Sequence, residues 1–289
     1  MRYARDYFYL SSRAIDNQRM EIRRLGATRF DVPVIGMGTW RTFDVSGQAA
    51  EANARAVATS AYEAGARVFD SSPMYGHAET VLSAALQPIR ADVIVATKVW
   101  TPSPTEGRRQ IDHALALFGG RVDLYQLHNL VAWRDHLKTL LALKDSGQVG
   151  AIGATHYSPQ GFAEMKTVIK SGQITAVQIP YNPLESEVTA EILPLAADLG
   201  LGVVVMRPFG QGRLLTSSPS AADLEPLRPF GVRTWAQALL KWVLSDPRCH
   251  VAIPATSRPE RMVENAEAGQ APWFGADERA YVSKLAKAL

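Results

Sequence analysis

The chain has 289 residues, of which 31 are basic and 28 are acidic, giving a net charge of +3. This balance gives no argument for nucleic-acid binding, which needs clustered positive charge. No apolar stretch reaches the roughly 18 residues that span a membrane, so no membrane association is expected. The single cysteine, Cys249, excludes an internal disulfide and favours a cytoplasmic setting. A monomer is the default expectation.

The predicted elements alternate regularly along the chain. Residues 1–20 form a predicted N-terminal extension, and residues 21–289 form one predicted domain that opens with a β-hairpin at Glu21–Arg29. Eight short β-rich runs follow, at Val34–Gly38, Arg67–Ser71, Val93–Val99, Val122–His128, Val149–Ala154, Ala176–Ile179, Gly202–Met206 and His250–Ile253. Each precedes a stretch with helical spacing, at Gln48–Glu63, Ala78–Leu86, Thr105–Phe118, Trp133–Lys144, Pro159–Ile169, Val188–Leu199, Thr234–Leu244 and Pro259–Glu267, and Asp277–Leu289 adds a C-terminal extra helix.

Strands that alternate with helices pair in parallel through crossovers, and eight such units most simply close into an α/β (β/α)8 TIM barrel. An open doubly wound sheet is the alternative, and it would show Gly-x-Gly-x-x-Gly after the first strand. Gly36 and Gly38 have no third glycine at that place. Residues Pro208–Gly231 are the longest connection without predicted structure. In a barrel they would lie at the mouth, where a mobile lid is expected.

Four titratable residues lie at or just after the ends of neighbouring predicted strands: Asp70, Tyr75, Lys98 and His128. Barrel enzymes place their active sites at these strand ends. A tyrosine is a weak acid at neutral pH, and a nearby ammonium lowers its pKa. An aspartate would hold the lysine charged, and a histidine beside the phenol would orient a substrate carbonyl. The pattern predicts a proton donor tuned toward neutral pH.

A metal-dependent barrel hydrolase is an alternative, because His128 and His156 could share the mouth with Asp70. However, no His-x-His closes the first strand, and Lys98 would repel a cation. We therefore predict no metal site.

Three segments resemble, in order, motifs of the aldo-keto reductase family. Phe69–Gly76 resembles Asp-Thr-Ala-x-x-Tyr-Gly, Ala96–Lys98 resembles the lysine strand, and Asp123–Asn129 resembles Asp-Leu-Tyr-x-x-His-x. The resemblance runs from about Glu21 to the end of the chain. It implies that Asp70, Tyr75, Lys98 and His128 are catalytic, that Tyr75 is the acid, and that the partner is a small carbonyl compound. A non-catalytic barrel subunit that senses nicotinamide nucleotides is the alternative function.

The resemblance also implies a nicotinamide cofactor, NADPH rather than NADH. At the nicotinamide, Thr155 and His156 replace the family's Ser-Asn pair, Gln178 matches, and Met206 stands where an aromatic ring is common. The segment Met206–Leu214 resembles the pyrophosphate loop. The residues that the resemblance assigns to the cofactor at the first two strands and in this loop are Gly38, Thr39, Trp40, Asp70, Arg207, Pro208, Phe209, Gly210, Gly212 and Leu214.

The segment Ile253–Asn265 resembles Ile-Pro-Lys-Ser-x-x-x-x-Arg-x-x-Glu-Asn, the family's adenosine-binding motif. The resemblance assigns its contacts with the 2′-phosphate and adenine to Ile253, Thr256, Ser257, Arg258, Arg261, Glu264 and Asn265. Ala255 replaces the family lysine, and Arg258 is the candidate substitute. The expected substrate-binding residues are Trp40, Trp100, His128 and Asn129, in an open and tolerant pocket.

Overall fold

The computed structural model describes residues 20–289. Residues 1–19 of the predicted N-terminal extension lie outside the described residues. Met20 packs against the core, and its sulfur accepts a hydrogen bond from the Ile35 amide at 3.4 Å.

An antiparallel hairpin covers the amino-terminal end of the barrel; the hairpin itself was predicted, but its second strand lies beyond the predicted range Glu21–Arg29. Its strands are β1 (Ile22–Arg24) and β2 (Asp31–Pro33). Leu25 and Phe30 pack against inward-facing side chains of the barrel strands. The turn residue Gly26 has a φ of +52° and lies so close to the barrel that a Cβ there would be 2.1 Å from the Gly202 nitrogen. Only glycine fits this turn without displacing backbone.

Eight parallel strands form the barrel wall. They are β3 (Met37–Gly38), β4 (Val68–Asp70), β5 (Ile94–Val99), β6 (Val122–His128), β7 (Val149–Thr155), β8 (Ala176–Pro180), β9 (Gly202–Met206) and β10 (Val251–Ala252). Each pairs with its neighbours in chain order. The first and last meet through a parallel bridge between Ile35 and Ala252, and the Gly36 amide donates to the Ala252 carbonyl at 2.8 Å. The predicted (β/α)8 fold is confirmed.

Helices surround the strands, and their apolar faces form a core outside the barrel. They are α1 (Gln48–Glu63), α2 (Ala78–Leu86), α3 (Pro104–Leu117), α4 (Trp133–Asp145), α5 (Phe162–Lys170), α6 (Ile192–Asp198), α7 (Ala221–Leu224), α8 (Trp235–Leu244), α9 (Pro259–Glu267) and α10 (Ala276–Ala288). The predicted C-terminal helix is α10, and the Trp242 indole nitrogen donates to Ser283 Oγ at 2.9 Å to join it to α8. Within residues 20–289, none of the helices has the length and apolar character of a membrane span.

Several element boundaries differ from the prediction. Strands β3 and β10 are only two residues long, shorter than predicted. The helix predicted over Val188–Leu199 is a 3-10 turn at Glu187–Thr189 followed by α6 from Ile192. Pro194 lies in the first turn of α6, where a missing amide hydrogen is tolerated, so the proline fits a helix that starts late.

The prediction that Pro208–Gly231 lacks structure was wrong. This connection holds a 3-10 segment at Gly210–Leu215, helix α7 and a second 3-10 segment at Glu225–Phe230. Ser220 and Asp223 form a capping box that starts α7. The Trp235 indole donates to the Leu214 carbonyl at 2.8 Å, and the Tyr281 hydroxyl donates to the Asp223 carbonyl at 2.9 Å. The connection is therefore anchored to α8 and α10.

Candidate active site

A cavity of about 560 Å³ opens at the carboxyl ends of the barrel strands. Asp70 ends β4, Lys98 lies on β5 and His128 ends β6. Tyr75 lies in a 3-10 turn, Pro73–Tyr75, that directly follows β4. Asp70, Tyr75 and His128 line the cavity, and Lys98 is buried beneath them. The structure thus brings together the four side chains that the strand ends predicted.

A buried ion pair forms the base of the site. Lys98 Nζ lies 2.7 Å from Asp70 Oδ2 and also donates to the Ser71 carbonyl at 2.7 Å. Gln126 Nε2 donates to the other carboxylate oxygen at 3.1 Å, and Gln178 Nε2 lies 3.3 Å from Oδ2. Burial lowers the pKa of Lys98, but the charges and hydrogen bonds of Asp70 and Tyr75 together outweigh burial, and the net pKa is raised. The lysine therefore keeps its charge at neutral pH.

Tyr75 lies directly over this pair. Lys98 Nζ is 5.1 Å from the centroid of the phenol ring. Burial raises the pKa of Tyr75, and Lys98 opposes this both through its charge and through a hydrogen bond. The expectation that the lysine would bring the pKa below its ordinary value was wrong in its net direction, because the cost of burying a phenolate exceeds the stabilisation by the ammonium. Tyr75 is a protonated phenol at neutral pH, available to donate.

His128 lies beside the phenol. Its ring meets that of Tyr75 edge to face, with centroids 5.9 Å apart, and its Nδ1 lies 2.9 Å from Ser72 Oγ. Burial lowers the pKa of His128 to about 2, with a further contribution from the charge of Lys98. The imidazole is therefore neutral. Because Ser72 occupies Nδ1, Nε2 is the ring nitrogen that a substrate can reach.

Most of the predicted cofactor and substrate residues lie on the cavity wall. All four predicted substrate residues do, and the predicted cofactor residues on the wall are Gly38, Thr39, Trp40, Asp70, Thr155, Gln178, Met206, Arg207, Pro208, Phe209, Gly212 and Ile253. Arg207 Nη1 lies 3.9 Å from Glu185 Oε1, and its guanidinium lies 5.1 Å from the centroid of the Tyr157 ring. Gly210 and Leu214 lie behind the wall, where both are buried.

His156 does not line the cavity, so the structure does not support its predicted place beside the cofactor. Its Nδ1 accepts a hydrogen bond from the Ser158 amide at 3.1 Å, and its ring packs over Gly161, where a Cβ would lie 2.4 Å from ring atoms. Its neighbour Tyr157 lines the cavity instead. Side chains alternate along an extended chain, so Thr155 and Tyr157 share a face and His156 faces away.

The residues predicted to hold the adenosine end lie around the start of α9. Arg258 pairs with Glu260 at 2.7 Å, and Arg261 pairs with Glu264 on its own helix. Asn265 is buried. Thr256, Ser257, Arg258, Arg261, Glu264 and Asn265 all lie beyond the wall of the main cavity. They form a separate group next to Ile253, which reaches the cavity, and Ser257, Arg258 and Arg261 are the exposed members of this group.

The sequence prediction missed eight residues of the wall: Arg41, Thr42, Met74, Tyr157, Gln211, Leu215, Pro254 and Ala255. The guanidinium of Arg41 lies 4.4 Å from the centroid of the Trp40 ring and brings a cation to the mouth. Met74 and Tyr157 each lie near a predicted strand end, so strand-end position together with side-chain alternation was the signal that could have found them.

Within residues 20–289, no cluster of three or more His, Cys, Asp or Glu side chains could hold a metal ion. The site is built instead from a phenol, an ammonium, a carboxylate and a neutral imidazole. Such a set can donate a proton to an oxygen and stabilise the anion left behind.

Comparison with known proteins agrees with this geometry. The model of the Aldo/keto reductase family matches residues 34–287. An aldo-keto reductase of Mycobacterium sp. (strain KMS) is 30% identical over 250 residues, which cover 81% of this chain and 82% of that protein. The holo form of an aldo-keto reductase from Bacillus halodurans has a TM-score of 0.77 and 25% identity, covering 94% and 98% of the two chains. An aldo-keto reductase from Klebsiella pneumoniae in complex with NADPH has a TM-score of 0.78 and 23% identity, covering 92% and 95%.

Proposed function

The chain belongs to the aldo/keto reductase family, a family of oxidoreductases, and from that premise we propose that it reduces aldehydes and ketones to alcohols with NADPH. The observation that carries the proposal is the placement of Tyr75 over the buried Lys98–Asp70 pair and beside neutral His128. This set can supply a proton donor and a second hydrogen-bond donor to a carbonyl oxygen as that oxygen becomes an alkoxide.

Each residue has a defined task in this proposal. The hydroxyl of Tyr75 gives its proton to the substrate oxygen. The ammonium of Lys98 then stabilises the phenolate, and Asp70 keeps that ammonium charged and fixed. His128, being neutral, donates from Nε2 to the same oxygen and orients the carbonyl. These donors are held in place before the substrate arrives, so little reorganisation is needed during the reaction.

The residues at the mouth suit a nicotinamide cofactor, which supplies a hydride when bound. Gln178 lines the cavity, and its Oε1 is buried with no hydrogen-bond partner among the described residues, so it can accept from a carboxamide. Glu264 Oε1 is likewise buried without such a partner, and it can accept from the amino group of adenine. Met206 also lines the cavity, and its thioether can pack on the face of a nicotinamide ring.

A preference for NADPH over NADH rests on Arg258 and Arg261, both about half exposed or more. Arg258 pairs with the exposed carboxylate of Glu260 and Arg261 with the mostly buried carboxylate of Glu264, and a 2′-phosphate with its higher charge would compete well for either guanidinium. Ala255 offers no cation, so Arg258 takes the place of the family lysine. The neighbour from Klebsiella pneumoniae was solved with NADPH, which supports the same choice here.

The substrate end of the cavity is largely apolar. Trp100, Tyr157, Met74 and Leu215 line it, and each is at least 40% exposed. Large exposed apolar groups gathered at one opening are typical of a binding surface. We propose that the pocket accepts apolar carbonyl compounds of varied shape. We also propose that residues 21–289 form one domain and that the protein is a monomer in the cytoplasm.

The test is a fluorescence titration of the purified protein with NADPH and, separately, with NADH. A panel of aldehydes and ketones is then assayed by the loss of nicotinamide absorbance. Tighter binding of NADPH with turnover of any carbonyl supports the proposal. Binding without turnover of any compound would favour the nucleotide-sensing alternative, and no binding of either nucleotide would contradict the reductase proposal as a whole.

A further inference from the structure

Ser72 connects the two groups that face the substrate oxygen. It is fully buried and lies between β4 and the turn that carries Tyr75. Its hydroxyl oxygen accepts a hydrogen bond from the Met74 amide at 3.2 Å, which caps that turn. The same oxygen lies 2.9 Å from His128 Nδ1, a residue 56 positions away in the chain. One hydroxyl therefore contacts both the turn of the proton donor and the neighbouring imidazole.

The hydroxyl of a serine has one proton to donate. Among the described residues, the side-chain oxygen of Ser72 has two hydrogen-bond partners, the Met74 amide and His128 Nδ1. The amide is a donor, so it cannot accept the serine proton. His128 Nδ1 is the acceptor that remains. If Nδ1 carried its own proton, the Ser72 proton would be buried without a partner, which proteins strongly avoid.

We propose that Ser72 is a positioning residue that fixes His128 as the Nε2–H tautomer, so that its free nitrogen is a donor to the carbonyl oxygen. A neutral imidazole has one protonated nitrogen, and the hydrogen bond at the other nitrogen decides which it is. The lowered pKa of His128 supports a neutral ring. The proposal rests on the proposed function, because the donor matters only if a carbonyl oxygen binds there.

The residue at this position is also a departure from the motif that Phe69–Gly76 resembles, Asp-Thr-Ala-x-x-Tyr-Gly. That motif has alanine where this chain has Ser72. An alanine has no hydroxyl to offer Nδ1. Ser72→Ala is therefore a conservative change in size that removes the contact under test.

The direct test is nitrogen NMR of the whole protein labelled with 15N only in histidine. The chain has six histidines, and loss of one signal in His128→Gln identifies the ring. We expect wild-type His128 to show a protonated Nε2 and an unprotonated Nδ1. Ser72→Ala should raise the Nδ1–H population, and Ser72→Thr, which keeps the hydroxyl, should restore the wild-type pattern. A protonated Nδ1 in the wild type would overturn the proposal, even if Ser72→Ala does not fold. An unchanged tautomer in Ser72→Ala would also overturn it.

Kinetics separate this role from the capping of the turn. Ser72→Ala should lower kcat by about tenfold while the KM for NADPH changes less than about twofold. A glutamine side chain has no tautomers for Ser72 to select. In a His128→Gln background, Ser72→Ala should therefore lower kcat by less than about twofold. Equal losses in the two backgrounds would mean that Ser72 only caps the turn and would overturn the proposal.

The NMR result does not depend on turnover. If no carbonyl is reduced, the proposed function fails, while the tautomer measurement still decides the role of Ser72.

Discussion

Two regions of the molecule differ in how their charged residues are held: the region proposed to carry out the reaction and the region proposed to bind the adenosine of the cofactor. In the first region, Lys98 and Asp70 are 1% and 3% exposed and contact each other from neighbouring strands, β5 and β4. At the start of α9, Arg258 and Arg261 reach solvent and pair with carboxylates two and three residues further along the chain. The first pair is fixed by the fold, and the second pairs can exchange partners. Under the proposed function, the groups that handle the proton are fixed by burial, whereas the groups that recognise a charged ligand are arginines with exposed side chains.

The strongest test of this contrast is to remove the buried cation. Lys98→Met leaves the Asp70 carboxylate buried without its partner, and we expect the free energy of unfolding to fall by about 3–5 kcal/mol. Urea denaturation measures it. The double variant Lys98→Met, Asp70→Asn should recover most of the loss, because the uncompensated charge is gone. A loss of unfolding free energy below about 1 kcal/mol in the single variant would show that water reaches the Asp70 carboxylate.

A second buried carboxyl near the site gives a pH test. Glu79 on α2 is 4% exposed and accepts a hydrogen bond from Thr97 Oγ1 at 2.5 Å. Burial raises its pKa to about 7, an effect that Thr97 and Lys98 partly oppose and Asp70 increases. Between its ordinary value of 4.5 and about 7, the folded state holds the proton that the unfolded chain releases. Stability therefore falls as pH rises through this range, and the cost of the buried carboxylate is complete above it.

The corresponding variant is Glu79→Gln, which keeps the acceptor oxygen and never ionises. At about pH 8 it should be more stable than the wild type by about 1–3 kcal/mol, and at about pH 4 the two should be equal. Thermal or urea unfolding across this pH range measures the difference. A constant difference between the two proteins at all pH values would mean that Glu79 does not titrate as described.

The smallest effect on stability is expected at the exposed region. Arg261→Ala should change the free energy of unfolding by less than about 0.5 kcal/mol, because the Arg261 side chain is about half exposed and its charge is screened by water. It should nevertheless raise the Kd for NADPH by about tenfold and leave that for NADH unchanged. Arg108→Ala is the matched control, since Arg108 forms a similar helical pair with Asp112 away from the site. Equal weakening of both nucleotides would place Arg261 away from the 2′-phosphate.

The fold and the grouping of polar side chains at the strand ends could be predicted from the sequence for one reason. Strand ends in a parallel barrel converge, so Asp70, Lys98 and His128 could be brought together from their places in predicted strands alone. Contacts between distant residues could not be found this way. Nothing local in the chain links Ser72 to His128, and the burial of Glu79 depends on how α2 packs on β5.

Two differences between the prediction and the structure had local causes. His156 was assigned to the cofactor from its place in a motif, whereas side-chain alternation turns it away and presents Tyr157. The connection after β9 has many glycine, proline and serine residues and was predicted to lack structure. Its order depends on the Ser220–Asp223 capping box and on two hydrogen bonds from later helices, donated by Trp235 on α8 and Tyr281 on α10.

Tyr75→Phe is the sharpest probe of the proposed proton transfer from Tyr75 to the substrate oxygen. The variant keeps the ring over Lys98 and removes only the hydroxyl. NADPH binding, followed by fluorescence, and carbonyl turnover are measured on the same preparation. We expect a Kd for NADPH within about twofold of the wild type and a fall in kcat of about 10²–10⁴-fold. Turnover near the wild-type level with intact NADPH binding would show that Tyr75 is not the proton donor.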